Sequence, residues 1–237
     1  MNWQCTATWL ILTSPISFAT ADWPQWRGPD RNGYVATGDL IESLPKAGLS
    51  AKWQFDSFAG GTSGGWSSPV MSDGRVYLFS HTKTKNSGTD LAKALFPWLP
   101  PEKRVGMSDE EYQAYEVKRR DENEKRSKAF RFDERLVCLD LETGDVVWVR
   151  SIESTYTRFV QSGTPCVSNG RVFVLGAERT GRCYDAGTGN VLWQKRLPGD
   201  FRDEFFASSF TVAGNMALVA CGPLVALNVT DGAVVWQ

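Results

Sequence analysis

The sequence predicts an all-β fold, a β-propeller built from four-stranded blades, and three observations lead to this prediction. One motif recurs at residues 138–148, 183–193 and 226–236, hairpin signals precede it, and Trp accounts for 10 of the 237 residues. A unit of four short strands that repeats about every 40 to 45 residues is typical of a propeller blade. The 22 Gly and 11 Pro residues fit a chain with many turns.

The repeated motif closes each unit. It contains a small residue, an Asp or Asn two positions later, a Gly, and a Trp four positions after that Gly. The Asp or Asn side chain can cap its own turn, and the Gly supplies the positive φ that tight connections need. The Val-rich residues before Trp predict the outgoing strand. The motif residues are Asp140, Gly144, Trp148, Asp185, Gly189, Trp193, Asn228, Gly232 and Trp236.

A second hairpin signal lies upstream of each motif. Asp73-Gly74 and Asn169-Gly170 precede Val-rich runs in the first two units, and Gly214 holds the same place in the third. Asp-Gly and Asn-Gly pairs between apolar runs are strong signals of tight hairpins. Each unit therefore contains four short strands joined by turns.

The predicted blades are too few to form a closed propeller ring. We expect an outer strand at residues 49–55 and blades at residues 64–150, 154–196 and 205–237. Propellers contain about four to eight blades, so three blades form an incomplete ring. We therefore expect an N-terminal fragment of a longer protein or a truncated reading frame. Each motif Trp is expected to cover the turn of the neighbouring blade.

The amino terminus has the features of an export signal. Residues 1–21 contain no charged side chain, include an apolar stretch and end in Ala19-Thr20-Ala21, which suits signal peptidase. The alternative is an unprocessed segment. A cleaved signal predicts a periplasmic or extracellular protein with a leader at residues 22–48. No later stretch approaches the length of a transmembrane segment.

Charge and cysteine usage exclude several functions. The 26 Lys and Arg residues balance 27 Asp and Glu residues, for a net charge of −1, which argues against binding nucleic acid or anionic membranes. Four cysteines follow residue 21, at positions 138, 166, 183 and 221, and their spacing does not resemble a C-x-x-C metal or redox motif. We interpret them as buried thiols, although disulfide pairing stays open. Cys138 and Cys183 align with Ala226, where a small side chain suffices.

A charged insertion interrupts the first blade at residues 82–133. The capping box at Ser108–Glu111 predicts a helix over residues 109–129. The mixed-sign run at residues 118–128 favours a solvated face over a partner-docking arm. Before the helix, the apolar loop at residues 96–101 either packs on the blade or remains an exposed contact patch.

The repeated motif resembles the tryptophan-docking motif of the PQQ-type, quinoprotein-like β-propeller repeat, in all three copies. The leader at residues 22–33 resembles the opening of exported bacterial PQQ-like repeat proteins. This resemblance implies a propeller of about seven or eight blades. Such proteins include quinoprotein dehydrogenases and non-catalytic scaffolds of the outer-membrane assembly type.

The dehydrogenase branch of the resemblance implies PQQ stacked on Trp, a Ca²⁺ ion, a catalytic Asp and, commonly, a vicinal Cys-Cys disulfide. The sequence has no Cys-Cys pair. Trp66, which follows Gly64-Gly65, is a candidate floor for a planar cofactor, although packing is the favoured interpretation. The single histidine, His81, ends a predicted strand and is interpreted as structural. We predict no catalytic residue and no metal site.

Loops that precede the innermost strands of the second and third blades face the central channel of a propeller. Their polar side chains are candidates for binding a ligand, and salt bridges that pack the loops are the alternative. The candidates are Arg158, Gln161, Arg202, Asp203 and Glu204.

The favoured function is a non-catalytic exported binding or scaffold protein, with a protein or small-ligand partner and no established cofactor. The alternative is the N-terminal part of a PQQ- and calcium-dependent dehydrogenase.

Overall fold

The computed structural model describes residues 22–34, 43–58, 67–157, 159–199 and 208–237. These residues form three separate four-stranded antiparallel sheets. The expected signal peptide at residues 1–21 lies outside the described residues. Among the described helices, none is long and apolar enough to cross a membrane.

The strands follow one another in each sheet as a simple meander. The first sheet contains β1 (Val70–Ser72), β2 (Arg75–Lys85), β3 (Phe130–Asp140) and β4 (Val146–Ser154). The second contains β5 (Cys166–Ser168), β6 (Arg171–Leu175), β7 (Thr180–Asp185) and β8 (Val191–Arg196). The third contains β9 (Thr211–Ala213), β10 (Met216–Ala220), β11 (Leu224–Asn228) and β12 (Val234–Trp236). The predicted all-β architecture of four-stranded blades is confirmed.

The repeated motif has the same register in each sheet. Its small residue lies opposite its Trp, as in the pairs Cys138 with Trp148 and Cys183 with Trp193, and a bulge follows the small residue. Ala226 lies in the same way opposite Trp236. All three small residues are fully buried. A fully buried position opposite the motif Trp suits a small apolar side chain, in agreement with Cys and Ala at this position of the repeat.

Apolar side chains fill the space between neighbouring sheets. Phe79 and Leu136 of the first sheet pack against Val172 and Val174 of the second. Another buried cluster joins the second and third sheets and includes Phe173, Leu175, Phe210, Val219 and Leu227. The sheets therefore stack face to face, with one continuous apolar layer in each junction.

Three Trp side chains reach from one unit to the glycine turn of the next. The Trp148 indole Nε1 donates to the Ala186 carbonyl at 3.0 Å, and its ring lies 2.6 Å from where a Cβ on Gly189 would stand. The Trp193 ring covers Gly232 in the same way. Trp53 covers Gly144 and donates to the Leu141 carbonyl at 2.9 Å. Each of these turns therefore requires glycine.

Two predicted boundaries are wrong. Residues 49–55 are described and form no strand, because no described strand lies beside them to share backbone hydrogen bonds. Trp53 still docks on the first blade, through its hydrogen bond to the Leu141 carbonyl. The insertion is also shorter than residues 82–133. β2 and β3 continue as an 11-residue hairpin up to Lys85 and Phe130, so the interruption covers residues 86–129.

The insertion contains one α-helix, α1, which spans Asp109–Ser127 and begins with the predicted capping box. The Ser108 hydroxyl accepts from the Glu111 N–H, and the Glu111 carboxylate accepts from the Ser108 N–H. A short 3₁₀ turn, Pro101–Lys103, precedes it.

The loop before α1 packs on the helix and not on the blade. Phe96 meets Tyr115 edge to face at 5.6 Å, and the Tyr115 hydroxyl donates to the Pro97 carbonyl at 2.6 Å. The Glu122 carboxylate accepts from the backbone N–H groups of residues 95 and 96. One side of the charged run therefore contacts the loop instead of solvent. Trp98 remains 59% exposed.

Candidate functional site at the inner edge and the blade junctions

The first strands of the three sheets, β1, β5 and β9, lie side by side and form the inner edge of the molecule. The leader crosses this edge. Trp23 exchanges two backbone hydrogen bonds with Met71 of β1, at 2.9 and 3.0 Å. The Pro24 carbonyl accepts from Val167 of β5 at 2.7 Å. The Gln25 side-chain oxygen accepts from the Thr211 hydroxyl of β9 at 2.9 Å. Three consecutive leader residues thus contact all three blades.

A compact turn holds the leader in this position. Gly28 has φ +82°, and a Cβ there would lie 2.9 Å from the Trp23 ring. The Gln25 side-chain amide donates to the Pro29 carbonyl at 2.7 Å, and the Gly33 N–H donates to the Arg27 carbonyl at 2.9 Å. The turn folds the leader onto the Trp23 ring and directs Gln25 to the blades.

Polar groups meet at the hairpin end of the first junction, the end at which β2 passes to β3. Glu134 lies directly opposite His81 in the sheet and is only 3% exposed. One carboxylate oxygen accepts from the Ala177 N–H at 2.7 Å and from the Ser154 hydroxyl at 2.9 Å. The other pairs with the buried guanidinium of Arg182 in β7. Glu134 therefore ties the first blade to the second.

His81 extends this cluster toward the loop that follows β4. Its Nδ1 accepts from the Gln161 N–H at 3.0 Å, so the neutral ring carries its proton on Nε2. Burial lowers the pKa of His81, while the charge of Glu134 and the Thr155 carbonyl act in the opposite direction. Among the described residues, neither His81 Nε2 nor the Gln161 side-chain oxygen has a well-formed hydrogen bond. The ring is held neutral inside the junction.

A second arginine joins the second blade to the third. The Arg179 guanidinium is buried and donates to the carbonyls of Pro198 at 2.7 Å and Cys221 at 2.6 Å. Glu178 and Arg179 both have φ +54°, a conformation that most side chains avoid. Arg182, three residues later, points back to the first blade. The β6–β7 hairpin therefore supplies a cation to each junction: Arg179 from its turn and Arg182 from β7.

The polar candidates from the sequence have different outcomes. Gln161 is buried in the first junction and contacts His81. The other five, Trp66, Arg158, Arg202, Asp203 and Glu204, lie outside the described residues. Sequence reasoning missed Glu134, Arg179 and Arg182. The signal for Glu134 is a charged residue on the apolar face of a strand, between Phe132 and Leu136.

The chemistry available in this region is limited by burial. The four cysteines after the leader are buried as thiols. Burial raises the pKa of Cys138 and Cys166 to about 11 and that of Cys183 to about 12, so these thiols are poor nucleophiles at neutral pH. Within the described ranges, no group of three or more His, Cys, Asp and Glu side chains is arranged to hold a metal ion. The polar groups brought together here join blades.

Comparisons with known proteins agree with the repeat and the fold. Residues 131–237 match a family described as outer membrane protein assembly factor BamB. The protein of that name from Shewanella oneidensis is 28% identical over 103 residues, which cover 39% of this chain and 26% of that protein.

Two solved structures extend the comparison. The quinohemoprotein alcohol dehydrogenase of Comamonas testosteroni aligns with a TM-score of 0.50 and 15% identity, over 91% of this chain and 27% of the other. BamB from Moraxella catarrhalis aligns with a TM-score of 0.36 and 22% identity, over 45% of this chain and 33% of the other. The chain spans about a quarter to a third of the length of these relatives.

Proposed function

Because the chain is a PQQ-like propeller repeat protein whose three sheets form part of a propeller, we propose that it is a non-catalytic, exported scaffold that binds protein. One observation carries the proposal: the titratable groups brought together at the first junction are engaged in joining blades. Glu134 accepts from Ala177, Ser154 and Arg182, and so has no free oxygen poised for a substrate. Active sites, in contrast, keep such groups accessible and poised for reaction.

The repeated Trp residues have a structural role in this proposal. We interpret Trp53, Trp148 and Trp193 as docking residues that set the register of successive blades, which occupy residues 64–150, 154–196 and 205–237. The contacts to Gly144, Gly189 and Gly232 support this role. The leader adds an inner strap, since it contacts β1, β5 and β9.

The partner-binding surface in this proposal is the insertion. Three of its large apolar side chains are exposed: Leu95 is 81%, Trp98 59% and Val105 85% exposed. Arg104 stacks near the rings of Trp98 and Tyr112, at 5.7 and 4.4 Å, and holds the loop against α1. Exposed Trp and Arg on a supported loop are typical of protein-binding hot spots.

A location in the bacterial envelope follows from the same relationship. The relative is named for outer membrane protein assembly. Residues 1–21 have the pattern of a cleavable export signal. We therefore propose a periplasmic protein whose partner is another envelope protein.

The alternative function is the N-terminal part of a PQQ- and calcium-dependent dehydrogenase. The fold similarity to the quinohemoprotein alcohol dehydrogenase over 91% of this chain favours it. Trp66 is the residue that would stack on the quinone in this alternative.

Incubation with PQQ and Ca²⁺ separates the two functions. Under the scaffold proposal, the protein does not reduce a redox dye in the presence of an alcohol or a sugar, and PQQ does not quench its Trp fluorescence in a saturable way. A quinoprotein alcohol dehydrogenase assayed in parallel is the positive control. Saturable dye reduction that Trp66→Ala abolishes would overturn the scaffold proposal.

Site-specific crosslinking tests the partner surface. A photoreactive residue at position 98, in cells that export the protein, should give a discrete adduct with an envelope protein. Position 125 is the matched control, because Lys125 is exposed on the same insertion but lies on α1. Equal adducts at both positions, or none at position 98, would contradict a binding surface at Trp98.

A further inference from the structure

A small pocket lies between the insertion and the long β2–β3 hairpin of the first blade. Its volume is about 200 Å³. The walls come from the hairpin, from the insertion and from the segment that follows β4. The residues that line the pocket include Lys83, Asn123, Arg126, Ser127, Phe130 and Tyr156.

The hairpin contributes to this pocket because its strands are unusually long. β2 and β3 have 11 residues each, whereas β6 and β7 of the second blade have five and six. Side chains alternate between the two faces of a strand, so Lys83 lies on the same face as His81, which turns toward the second blade. At Lys83, however, the facing residues of the pocket belong to the insertion and not to a blade.

Lys83 is a half-buried cation without a counter-charge. Its ammonium stands over the Phe130 ring, 4.1 Å from the ring centre, and forms no ion pair with the described residues. Burial lowers the pKa of Lys83, and the charge of Arg126 lowers it further. No carboxylate among the described residues opposes these two effects on the pKa. Two cations that face each other in a partly desolvated site attract an anion.

Arg126 supplies the second cation, from α1. One of its terminal nitrogens donates to the Ala92 carbonyl at 2.6 Å and lies 4.0 Å from a carboxylate oxygen of Glu122. Glu122 does not line the pocket, and its oxygens accept from the N–H groups of residues 95 and 96. Because Glu122 can offset only one of the two cations, an excess of positive charge remains. The guanidinium has five N–H donors, so others remain for a ligand.

The pocket lies at the carboxyl end of α1, where the helix dipole is negative. Hydrogen bonds already engage two of the carbonyl groups there. The Ser127 hydroxyl donates to the Glu124 carbonyl at 2.7 Å, and the Ala129 N–H donates to the Arg126 carbonyl at 3.1 Å. A helix end carries about half an elementary charge, which is less than the charge of Lys83 and Arg126 together. The pocket therefore still favours an anion.

We propose that this pocket, which we call the insertion pocket, binds a small oxyanion, phosphate or a short carboxylate, between the Lys83 ammonium and the Arg126 guanidinium. The Asn123 amide lines the same pocket and supplies a neutral donor. Pockets for drug-sized molecules have volumes of about 300–1,000 Å³, so a volume of about 200 Å³ suits a single small ion. The bound oxyanion bridges α1 and the hairpin, and so fixes the insertion on the first blade. Trp98 does not line the pocket, so this site is independent of the proposed partner surface.

Calorimetric titration with phosphate, acetate and chloride, at matched ionic strength, tests the insertion pocket. We expect saturable binding of phosphate or acetate and no saturable binding of chloride, because a guanidinium and an ammonium bind oxyanions through charge-assisted hydrogen bonds. The comparison of phosphate with acetate identifies which oxyanion the pocket takes. Absence of saturable binding for both oxyanions, or equal binding of chloride, would overturn the proposal.

Two substitutions locate the binding. Lys83→Met keeps an unbranched side chain over Phe130 and removes the charge, so it should weaken oxyanion binding by about tenfold or more. Arg126→Gln removes the charge from the other wall and should also weaken binding, which keeps the test open if Lys83→Met does not fold. Lys125→Met is the matched control, because Lys125 is exposed on α1 and does not line the pocket. If Lys83→Met and Arg126→Gln bind as the unchanged protein does, the oxyanion binds elsewhere and the proposal fails.

Thermal melting of Lys83→Met gives a second readout. Without the oxyanion, removal of an uncompensated, partly desolvated cation should leave the melting temperature unchanged or raised. A saturating concentration of the oxyanion should raise the melting temperature of the unchanged protein and have little effect on the variant. A lowered melting temperature without the oxyanion, together with a full increase when it is added, would show that Lys83 serves only the contact with Phe130. That result would contradict its role in the pocket.

Discussion

The two faces of the β2–β3 hairpin differ in what covers them. His81 and Glu134 point to the second blade and are buried, whereas their chain neighbours Thr82 and Asp133 point to the opposite face of the first sheet, which no described strand covers. Alternate residues on a strand point to opposite faces, so the same hairpin supplies both sets. Both faces carry charged groups at this level. Their environment is therefore set by the neighbouring blade and not by residue type.

The difference has a direct energetic consequence. On the covered face the Glu134 carboxylate and the Arg182 guanidinium have lost water and depend on each other. On the open face the Arg131 side chain is 64% exposed and that of Asp133 is 27% exposed, so this pair keeps more of its hydration than the buried pair. Loss of one member of a buried pair leaves an uncompensated charge, whereas loss of one member of an exposed pair does not.

The largest effect is expected for Glu134. Glu134→Gln should lower the free energy of unfolding by about 3–5 kcal/mol, because Arg182 stays buried without its counter-charge. Asp133→Asn is the matched control in the adjacent position and should cost about 0–1 kcal/mol. Urea denaturation of both variants measures the difference. Equal losses of unfolding free energy in the two variants would mean that the two faces are equally hydrated, which would contradict the difference in burial.

A double substitution sharpens the same comparison. Glu134→Leu combined with Arg182→Met replaces the buried pair with apolar side chains and should recover most of the stability lost in Glu134→Gln. Recovery would show that the cost comes from the stranded charge. If the double variant is as unstable as Glu134→Gln, the contacts to Ala177 and Ser154 are the main contribution of Glu134.

Two of the repeated Trp residues allow a second comparison between a buried and an exposed side chain. Trp193 is buried against the Gly232 turn, while Trp236 occupies the same motif position and is 42% exposed. Trp193→Ala should cost about 3–5 kcal/mol, and Trp236→Ala about 1 kcal/mol or less. Thermal melting of the two variants measures this. An unchanged melting temperature for Trp193→Ala would refute its role in holding neighbouring blades together.

The repeat explains why so much of the fold could be predicted from the sequence. Turn glycines, capping Asp residues and Val-Val-Trp strands act within a few residues of each other, so their pattern carries the local structure. The capping box of α1 is local in the same way, and it is confirmed. The strand predicted at residues 49–55 needed a neighbour, and strand patterns alone do not reveal whether a neighbour is present.

The contacts at the blade junctions could not be predicted, because they join residues that are distant in the sequence. Glu134 and Arg182 are 48 residues apart, and neither residue belongs to a recognised motif. Gln25 and Thr211 are 186 residues apart. Such pairs form only after the blades stack. The sequence placed Gln161 beside a channel, whereas its backbone binds His81 inside a junction.

The smallest effect is a pH dependence at His81. Burial lowers the folded-state pKa of His81 below its ordinary 6.5, so the unfolded chain binds a proton more readily in the window between the two values. Stability is then complete above about pH 6.5 and falls as the pH drops below it, by at most about 1.4 kcal/mol per pH unit. Urea denaturation between pH 7.5 and pH 5 measures this slope.

His81→Asn is the control for this pH dependence, because it removes the titrating group from the covered face. Glu134 and Arg182 face His81 within the junction, Asp133 lies on the open side, and the variant leaves all three in place. The variant should therefore lose most of the slope, whatever its stability at pH 7.5. A slope that persists in His81→Asn would place the responsible group elsewhere. Protonation of His81 would then not be the cause of the stability lost at low pH.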